Sequence, residues 1–209
     1  MGLYADAKSI AERDPAARNV WEVIFLYPGW KALRDHKVAA WFLRHKMPFI
    51  ARWISQKSSR RTGIEIHPGA QIGDGLFIDH GHGIVIGETA VIGNNCTIYH
   101  QVTLGGTGRQ KHKKRHPTVG DNVLIGAGAK ILGPVTIGDN SMIGSGSVVL
   151  DDVPANTTVT GIKARVIKVD GERVAPSLSL EHAKVIDPIA QEIAALRREL
   201  EEIKSKTNS

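Results

Sequence analysis

Aliphatic residues recur every six positions through the middle of the chain, and this period constrains the fold more than any other feature. Fourteen positions in three registers are all isoleucine, leucine or valine: Ile66, Ile72, Ile78 and Ile84, then Ile86, Ile92, Ile98 and Leu104, then Val119, Ile125, Ile131, Ile137, Ile143 and Val149. These three residue types make up about a quarter of the chain, so chance does not explain an unbroken run. A repeat of fixed length is the signature of a solenoid, in which similar units stack on one another.

A period of six matches neither the turn of an α-helix nor the alternation of a hairpin sheet. It predicts short flat faces, three of which complete one coil of a β-helix. We expect unusual backbone angles at the glycines that follow six of the repeat residues, because they lie at corners: Gly73, Gly87, Gly93, Gly126, Gly138 and Gly144. Small residues four positions after a repeat residue, such as Ala70 and Cys96, fit a narrow interior. If Ile84 and Ile86 share one stretched corner, the thirteen hexads give about four coils.

The segments on either side of the repeats have a different pattern. Residues 1–62 contain no hexads but hold all four tryptophans and helical apolar spacing, so we predict an α-helical cap there. The β-helix domain follows at 63–169, with a loop at 105–118, and 170–183 is predicted to be a linker. Residues 184–206 carry isoleucine or leucine at a and d heptad positions: Ile186, Ile189, Ile193, Leu196, Leu200 and Ile203. This seam predicts a C-terminal helix in a coiled coil of three or four strands, and a helix packed on its own chain is the alternative.

Composition limits the classes of partner and the compartment. The single cysteine excludes an intrachain disulfide and a multi-thiolate metal site, and fits a reducing cytoplasm. No apolar stretch approaches the roughly 20 residues of a membrane span, and the N-terminus lacks the apolar region of a secretory signal. The net charge of +6 depends on the segment 109–116, which holds five lysines and arginines and no acid. We therefore predict a local anionic ligand, with neither a membrane nor a nucleic acid as partner.

Five stretches depart from what packing alone requires, and they carry a family resemblance: Glu65–Ala70, Phe77–Gly83, Ile86–Thr89, Val102–Gly108 and Arg115–Pro117. In this order they closely resemble the serine O-acetyltransferase family, over a region from about Asp14 to Val166. The resemblance implies a left-handed parallel β-helix and acetyl transfer from acetyl-CoA to the hydroxyl of L-serine, in cysteine biosynthesis. It also implies that acetyl-CoA is a co-substrate and that no cofactor is permanently bound.

The resemblance assigns the catalytic roles to a histidine and an acid. Transfer to an alcohol needs a base to remove the hydroxyl proton, and histidine has an unperturbed pKa of about 6.5. By the resemblance, His80 is that base and Glu65, where many members have aspartate, orients its imidazole. The two residues are fifteen positions apart, so the period places them in neighbouring coils, while their hydrogen bond is implied by the resemblance alone. Cys96 is expected in the core, which favours direct transfer over an acyl-enzyme.

The same resemblance supplies a serine site and a coenzyme A site. Asp14 and Asp79 correspond to the carboxylates at the amine and hydroxyl end of serine, although Asp14 alone also fits a helix N-cap before Pro15. Arg115 is expected to hold the substrate carboxylate as a bidentate fork, with His116 as a second donor and His67 beside it. The residues expected at acetyl-CoA are Gly105, Gly106, Thr107, Ala127 and Ala129, with Lys163 and Arg165 at its phosphates. The family has proline where this chain has Lys163.

Two other classes of function remain open from the sequence. His80 and His100 share a hexad position, and three histidines with an open ligand position bind zinc in γ-class carbonic anhydrases. That family's ligand spacing is not reproduced here, so we predict no metal site. A non-catalytic scaffold with a basic loop for RNA is the second rival, but the loop lacks aromatic residues for base stacking. Among enzymes, another hexapeptide O-acetyltransferase acting on a sugar or a xenobiotic is the alternative.

The resemblance also bears on assembly. β-Helix acyltransferases are typically trimers, and a parallel trimeric coiled coil would extend their axis, so we predict a homotrimer. The cap is shorter than in the long members that pair trimers into hexamers. Many members bind cysteine synthase through a tail ending in isoleucine, and this chain ends in Ser209, which argues against that partner.

Overall fold

The N-terminal segment is helical. The computed structural model describes residues 2–107, 113–162, 165–170 and 172–173. Its helices are α1 (Leu3–Arg13), α2 (Val20–Leu26), α3 (Pro28–Arg44) and α4 (Pro48–Thr62). A proline begins both α3 and α4, because the first helical residue needs no N–H donor. Helix α4 ends at Gly63, whose φ of 74° is left-handed.

Short strands follow the helices at close intervals. They are β1 (Ile64–Ile66), β2 (Gln71–Ile72), β3 (Phe77–Ile78), β4 (Ile84–Ile86), β5 (Val91–Ile92), β6 (Thr97–Ile98), β7 (Thr103–Gly105), β8 (Thr118–Val119), β9 (Leu124–Ile125), β10 (Lys130–Leu132), β11 (Thr136–Ile137), β12 (Met142–Ile143), β13 (Val148–Val149), β14 (Thr157–Thr160), β15 (Arg165–Val169) and β16 (Glu172–Arg173). Between β1 and β13, strands that are three apart in the chain belong to the same sheet, so three sheets result.

Three parallel sheets form the sides of a β-helix. Sheet 1 contains β1, β4, β7, β10 and β13, sheet 2 contains β2, β5, β8 and β11, and sheet 3 contains β3, β6, β9, β12 and β14. Strands β15 and β16 extend sheet 3 in antiparallel pairing. Because the chain visits the three sheets in turn, each coil lies on the previous one, and the solenoid predicted from the period is confirmed.

The predicted repeat residues lie in register along the axis. In sheet 1, Ile66 is aligned with Ile86, Ile86 with Leu104, and Leu104 with Ile131. Ile84 and Ile86 lie in the single strand β4, where Ile84 is aligned with Ile64. The two-residue shift in the sequence is therefore one lengthened corner and strand, as expected. The stacked aliphatic side chains fill the interior, and burying each contributes about 1.5–3 kcal/mol.

The expected reason for the corner glycines is wrong. None of the six glycines that follow a repeat residue has a positive φ. Their lack of a side chain is needed instead because the next coil lies so close: a Cβ on Gly126 would lie 2.6 Å from the Ser145 nitrogen, and one on Gly138 2.3 Å from the Ala155 nitrogen. Left-handed backbone at the corners between sheets 2 and 3 is supplied by asparagines: Asn95, Asn122, Asn140 and Asn156.

The residues expected to be small and inward-facing are buried: Ala70, Ala90, Cys96, Ala129, Ser141 and Ser147. The Cys96 thiol donates to the Gly120 carbonyl oxygen at 3.1 Å. Burial raises the pKa of this thiol, so it is held as the neutral, unreactive form. The expectation that Cys96 belongs to the core is confirmed.

Polar and close backbone contacts attach the helices to the first two coils. The Arg13 guanidinium donates to the Gly75 carbonyl at 2.7 Å and to the Cys96 carbonyl at 3.1 Å. Gly29 packs so tightly on β3 that a Cβ there would lie 2.5 Å from the Ile78 carbonyl oxygen. These contacts fix the end of α1 beside the corner that precedes β3 and the start of α3 against β3 itself.

Some expectations fall outside the residues that the structure describes. Of the predicted linker 170–183, Asp170 and strand β16 are described and the remainder is not. The predicted coiled-coil helix 184–206 also lies outside the described residues. No helix in the described part of the chain is long and apolar enough to cross a membrane.

Candidate active site

His80 lies on a strained corner between sheets 3 and 1. The chain takes two more residues from Ile78 to Ile86 than from Ile98 to Leu104 in the coil below. His80 has a φ of 57°, which is uncommon for a residue other than glycine. Its side chain is 74% exposed. A strained, exposed histidine held by a lengthened corner is a typical feature of a functional site.

Two side chains surround the His80 imidazole. The Asp79 Oδ1 atom lies 3.9 Å from His80 Nε2. The His100 ring, on the corner one coil below, lies 5.9 Å away between centroids and nearly perpendicular, at 73°. His100 Nδ1 is buried and has no hydrogen-bond partner among the described residues. The corner therefore presents one exposed imidazole beside a carboxylate and a second imidazole.

Glu65 lies on β1, aligned with Val85 of β4. Its Oε1 atom accepts a hydrogen bond from Gln56 Nε2 of α4 at 3.4 Å. The described hydrogen bond of Glu65 is therefore to the cap and not to His80. Its pairing with His80 stays a prediction.

Asp14 follows the last residue of α1 and is tied to a tyrosine that the motifs do not single out. Its Oδ1 atom accepts from the Ala16 backbone N–H at 2.8 Å, and its Oδ2 atom accepts from the Tyr27 hydroxyl at 2.6 Å. Asp14 is the C-cap residue of α1, so the alternative interpretation of an N-cap is wrong. The only sequence signal for Tyr27 is its place before Pro28 and Gly29 at a helix junction.

A second cluster lies at the corner between sheets 1 and 2. His116 is buried, and a Cβ on Gly87 would lie 1.9 Å from its Cδ2 atom. Its Nδ1 atom accepts from the Thr89 backbone N–H at 3.2 Å and lies 2.9 Å from the Thr89 hydroxyl. Burial and the nearby Arg115 lower the pKa of His116. The ring is therefore neutral, with its proton on Nε2 available as a donor.

Arg115 and His67 belong to the same corner. Arg115 Nη2 lies 3.0 Å from Glu88 Oε2 in an ion pair that is partly exposed. His67 Nδ1 accepts from the Gly69 backbone N–H at 3.0 Å, which again leaves the proton on Nε2. Burial and the charge of Arg52 lower the pKa of His67. This corner therefore presents N–H donors and a guanidinium, which suits a carboxylate ligand.

The structure does not bring the two groups of expected serine-site residues together within one chain. Asp79 and His80 lie at the corner before sheet 1, whereas Arg115 and His116 lie at the corner after it. The run from Gly83 to Gly87 that crosses sheet 1 spans about 13 Å of extended chain. One chain thus carries a carboxylate and an exposed imidazole at one corner, and a guanidinium with imidazole N–H donors at another.

The residues expected at coenzyme A vary in accessibility. Gly106 and Thr107 are exposed at the start of the loop, and the Thr107 N–H donates to the Arg115 carbonyl at 3.2 Å. Gly105 is half-buried in β7, and Ala127 is half-buried on a corner. Ala129 is 0% exposed in the interior stack, so its methyl group has no surface for a ligand. Lys163 lies outside the described residues, and Arg165 is described only as part of β15.

No group of three histidine, cysteine, aspartate or glutamate side chains suited to a metal ion occurs in the described ranges of the chain. The zinc alternative rested on His80 and His100, which form a pair and not a triad there.

A β-helix of hexapeptide repeats that carries an exposed histidine on a lengthened corner defines a hexapeptide-repeat transferase. The family model described as bacterial transferase hexapeptide (six repeats) matches residues 116–151. The serine acetyltransferase of Synechococcus elongatus is 52% identical over 204 residues, which are 98% of this chain and 82% of that protein. The chain belongs to the serine acetyltransferase family.

Solved structures agree with this assignment. The crystal structure of Neisseria gonorrhoeae serine acetyltransferase has a TM-score of 0.78 and 40% identity, covering 87% of this chain and 69% of that one. The Brucella abortus serine acetyltransferase in complex with coenzyme A has a TM-score of 0.76 and 44% identity, covering 79% and 66%. These enzymes have the left-handed β-helix. The fold class, the acyltransferase class and the serine acetyltransferase function expected from the sequence are confirmed.

Proposed function

We propose that this chain transfers the acetyl group of acetyl-CoA directly to the hydroxyl of L-serine, with His80 as the general base. The observation that carries the residue assignment is the lengthened corner, which holds an exposed imidazole 3.9 Å from the Asp79 carboxylate. The coenzyme A complex of a relative supports acetyl-CoA as the donor. The products are O-acetyl-L-serine and free coenzyme A.

The chemistry needs one proton transfer in each direction. His80 takes the hydroxyl proton as the serine oxygen attacks the thioester carbonyl. When the tetrahedral intermediate collapses, the C–S bond breaks and the imidazolium returns the proton to the thiolate of coenzyme A. Glu65 would orient and stabilise that imidazolium in the active assembly. Cys96 forms no acyl-enzyme because its thiol is buried.

The charged groups of serine match the two corners. Asp14 and Asp79 would bind the ammonium, and the hydroxyl, one carbon further along, would then face His80. Arg115 has five N–H donors, of which the ion pair with Glu88 uses one end. The remaining donors, together with His116 Nε2 and with His67 beside them, suit the serine carboxylate.

The two halves of the serine site would be joined by a second copy of the chain. In a trimer with its threefold axis along the β-helix, the corner before sheet 1 of one copy faces the corner after sheet 1 of its neighbour. A cyclic interface of this kind repeats three times and gives three equivalent sites. The separation of His80 from Arg115 across sheet 1 supports this homotrimer.

Acetyl-CoA would lie beside the same cleft. Gly105, Gly106 and Thr107 offer backbone groups at the start of the loop, and Ala127 offers them on the corner two coils below His80. Ala129 would act only as packing beneath this surface, because it is fully buried. Lys163 and Arg165 remain our candidates for the coenzyme A phosphates, since both cations follow the last coil of the β-helix.

Thiol release from acetyl-CoA tests the proposal. The wild-type chain and His80→Ala are assayed with L-serine, with homoserine, with a galactoside and without an acceptor. The control variant is His45→Ala, which removes an exposed histidine of the cap. Serine-dependent release that is lost in His80→Ala and kept in His45→Ala is the expected result. Release with another acceptor alone would overturn the substrate, and undiminished release from His80→Ala would overturn the base.

A further inference from the structure

Tyr27 occupies the junction between α2 and α3, next to the part of the cap that packs on β3. Its backbone N–H donates to the Val23 carbonyl at 3.2 Å and its carbonyl accepts from the Lys31 N–H at 3.2 Å, so both helices hold it. Two residues later, Gly29 contacts the backbone of Ile78, the residue before Asp79. The close approach at Gly29 therefore fixes the distance between Tyr27 and the corner.

The Tyr27 hydroxyl is committed as a donor to Asp14. It lies 2.6 Å from Asp14 Oδ2, while Asp14 Oδ1 is held by the Ala16 N–H at 2.8 Å. Burial raises the pKa of Tyr27 above its ordinary value, and the charges of Asp14 and Asp79 raise it further. The phenol therefore stays protonated at neutral pH, and its oxygen keeps lone pairs that can accept a hydrogen bond.

The Tyr27 hydroxyl contacts the Asp14 carboxylate, and the Asp79 carboxylate is near enough for its charge to raise the pKa of Tyr27. Three acceptor groups, from the end of α1, the helix junction and the corner, therefore lie in one neighbourhood. An ammonium group carries three N–H donors and no acceptor. We infer that Tyr27 completes a three-acceptor site for the substrate ammonium, together with Asp14 and Asp79, and that it fixes the Asp14 carboxylate in the orientation for binding. This inference rests on the proposed serine site, and it adds a specificity-determining residue that no motif of the chain contains.

The site would select substrates by their amine. The two carboxylates supply the charge that the ammonium requires, and the neutral phenol supplies the third hydrogen bond without adding a further charge to be neutralised. A hydroxy acid without the amine gains nothing from this group. Removing the hydroxyl should therefore weaken serine binding while leaving the binding of an amine-free analogue unchanged.

The test compares Tyr27→Phe with Tyr4→Phe, a control in which the exposed tyrosine makes no described hydrogen bond. We expect Tyr27→Phe to raise KM for L-serine about 10- to 100-fold, as for the loss of a hydrogen bond to a charged group. The KM for acetyl-CoA should stay unchanged, and so should the inhibition constant of 3-hydroxypropionate, which has the carboxylate and hydroxyl of serine but no amine. In Asp14→Asn, the additional Tyr27→Phe change should have less effect than in the wild type.

The alternatives give different results. An unchanged KM for serine in Tyr27→Phe, with wild-type activity on serine, would overturn the role of Tyr27 alone. Equal losses towards serine, acetyl-CoA and 3-hydroxypropionate would also overturn it, because they indicate a general structural role. A wild-type chain without any serine-dependent thiol release would instead refute the proposed function itself.

Discussion

Replacing Gly87 by alanine tests how the corner proposed to bind the serine carboxylate is built. The new Cβ would lie 1.9 Å from Cδ2 and 2.1 Å from Nε2 of His116. Carbon atoms in contact are ordinarily 3.5–4.0 Å apart, so the ring must move by roughly 1.5–2 Å. That movement breaks the hydrogen bonds from Thr89 that fix the tautomer, and it displaces the Nε2 donor from the position proposed for the substrate carboxylate.

The expected loss follows from the bond that is displaced. A hydrogen bond to a charged group contributes about 1.5–3 kcal/mol, and each 1.36 kcal/mol corresponds to a factor of ten in rate. Gly87→Ala should therefore lower kcat/KM for L-serine about 10- to 100-fold, measured as initial rates of thiol release over a range of serine concentrations.

A matched control separates this effect from a general loss of stability. A Cβ on Gly120 would lie 2.2 Å from Asp139 Oδ1, which is a similarly close approach at the next corner, between sheets 2 and 3. Gly120→Ala should lower the melting temperature by a similar amount and leave KM for serine unchanged. Equal kinetic effects in both variants, or an unchanged KM for serine in a folded Gly87→Ala, would show that His116 does not bind the serine carboxylate.

Three further outcomes are expected. Burial lowers the pKa of His36 to about 4, below its value of about 6.5 in the unfolded chain. The contribution of the neutral His36 ring to the free energy of unfolding is therefore complete above pH 6.5 and is lost as the pH falls towards 4. Between pH 6.5 and pH 4, the free energy of unfolding should therefore fall by up to about 3 kcal/mol less in His36→Gln than in the wild type, as measured by urea titrations. The same fall in both chains would contradict this. Ile125→Ala in the interior stack should destabilise the chain by about 2–5 kcal/mol, whereas the exposed Met142→Ala should change stability by less than about 0.5 kcal/mol, and similar melting temperatures would argue against the stacked core. Asp14→Asn should raise KM for serine but not for acetyl-CoA, and an unchanged KM for serine would remove Asp14 from the site.

The β-helix could be predicted because the residues that fill its interior recur at a regular period in the sequence. Each coil has room for one large aliphatic side chain per face, so residues such as Ile86, Ile92 and Ile98 must recur every six positions. The lengthened corner at His80 was also visible, as a two-residue shift between Ile84 and Ile86. The fold and the period are linked by the geometry of residues close together in the chain, so a single sequence is enough to predict this part of the structure.

Contacts between distant segments could not be predicted in the same way. The hydrogen bond from Tyr27 to Asp14 depends on how the end of α1 packs beside the junction of α2 and α3, and no period describes that packing. The crowding of Gly87 by His116 arises because the loop at 105–118 returns to the corner, so a glycine expected to have unusual backbone angles is instead needed for space. Side-chain pairing such as Glu88 with Arg115 likewise follows from the fold and not from a motif.

In the proposed trimer, His80 of one copy and Arg115 of the next copy serve one site. The decisive measurement uses trimers purified by two tags, so that each contains both His80→Ala and Arg115→Ala chains. In any such ring, one interface joins an intact His80 corner to an intact Arg115 corner. A site shared between copies therefore predicts about one third of wild-type serine acetylation, although each variant alone is inactive. Activity no higher than that of the single variants would show that each site lies within one chain and would rule out the shared site.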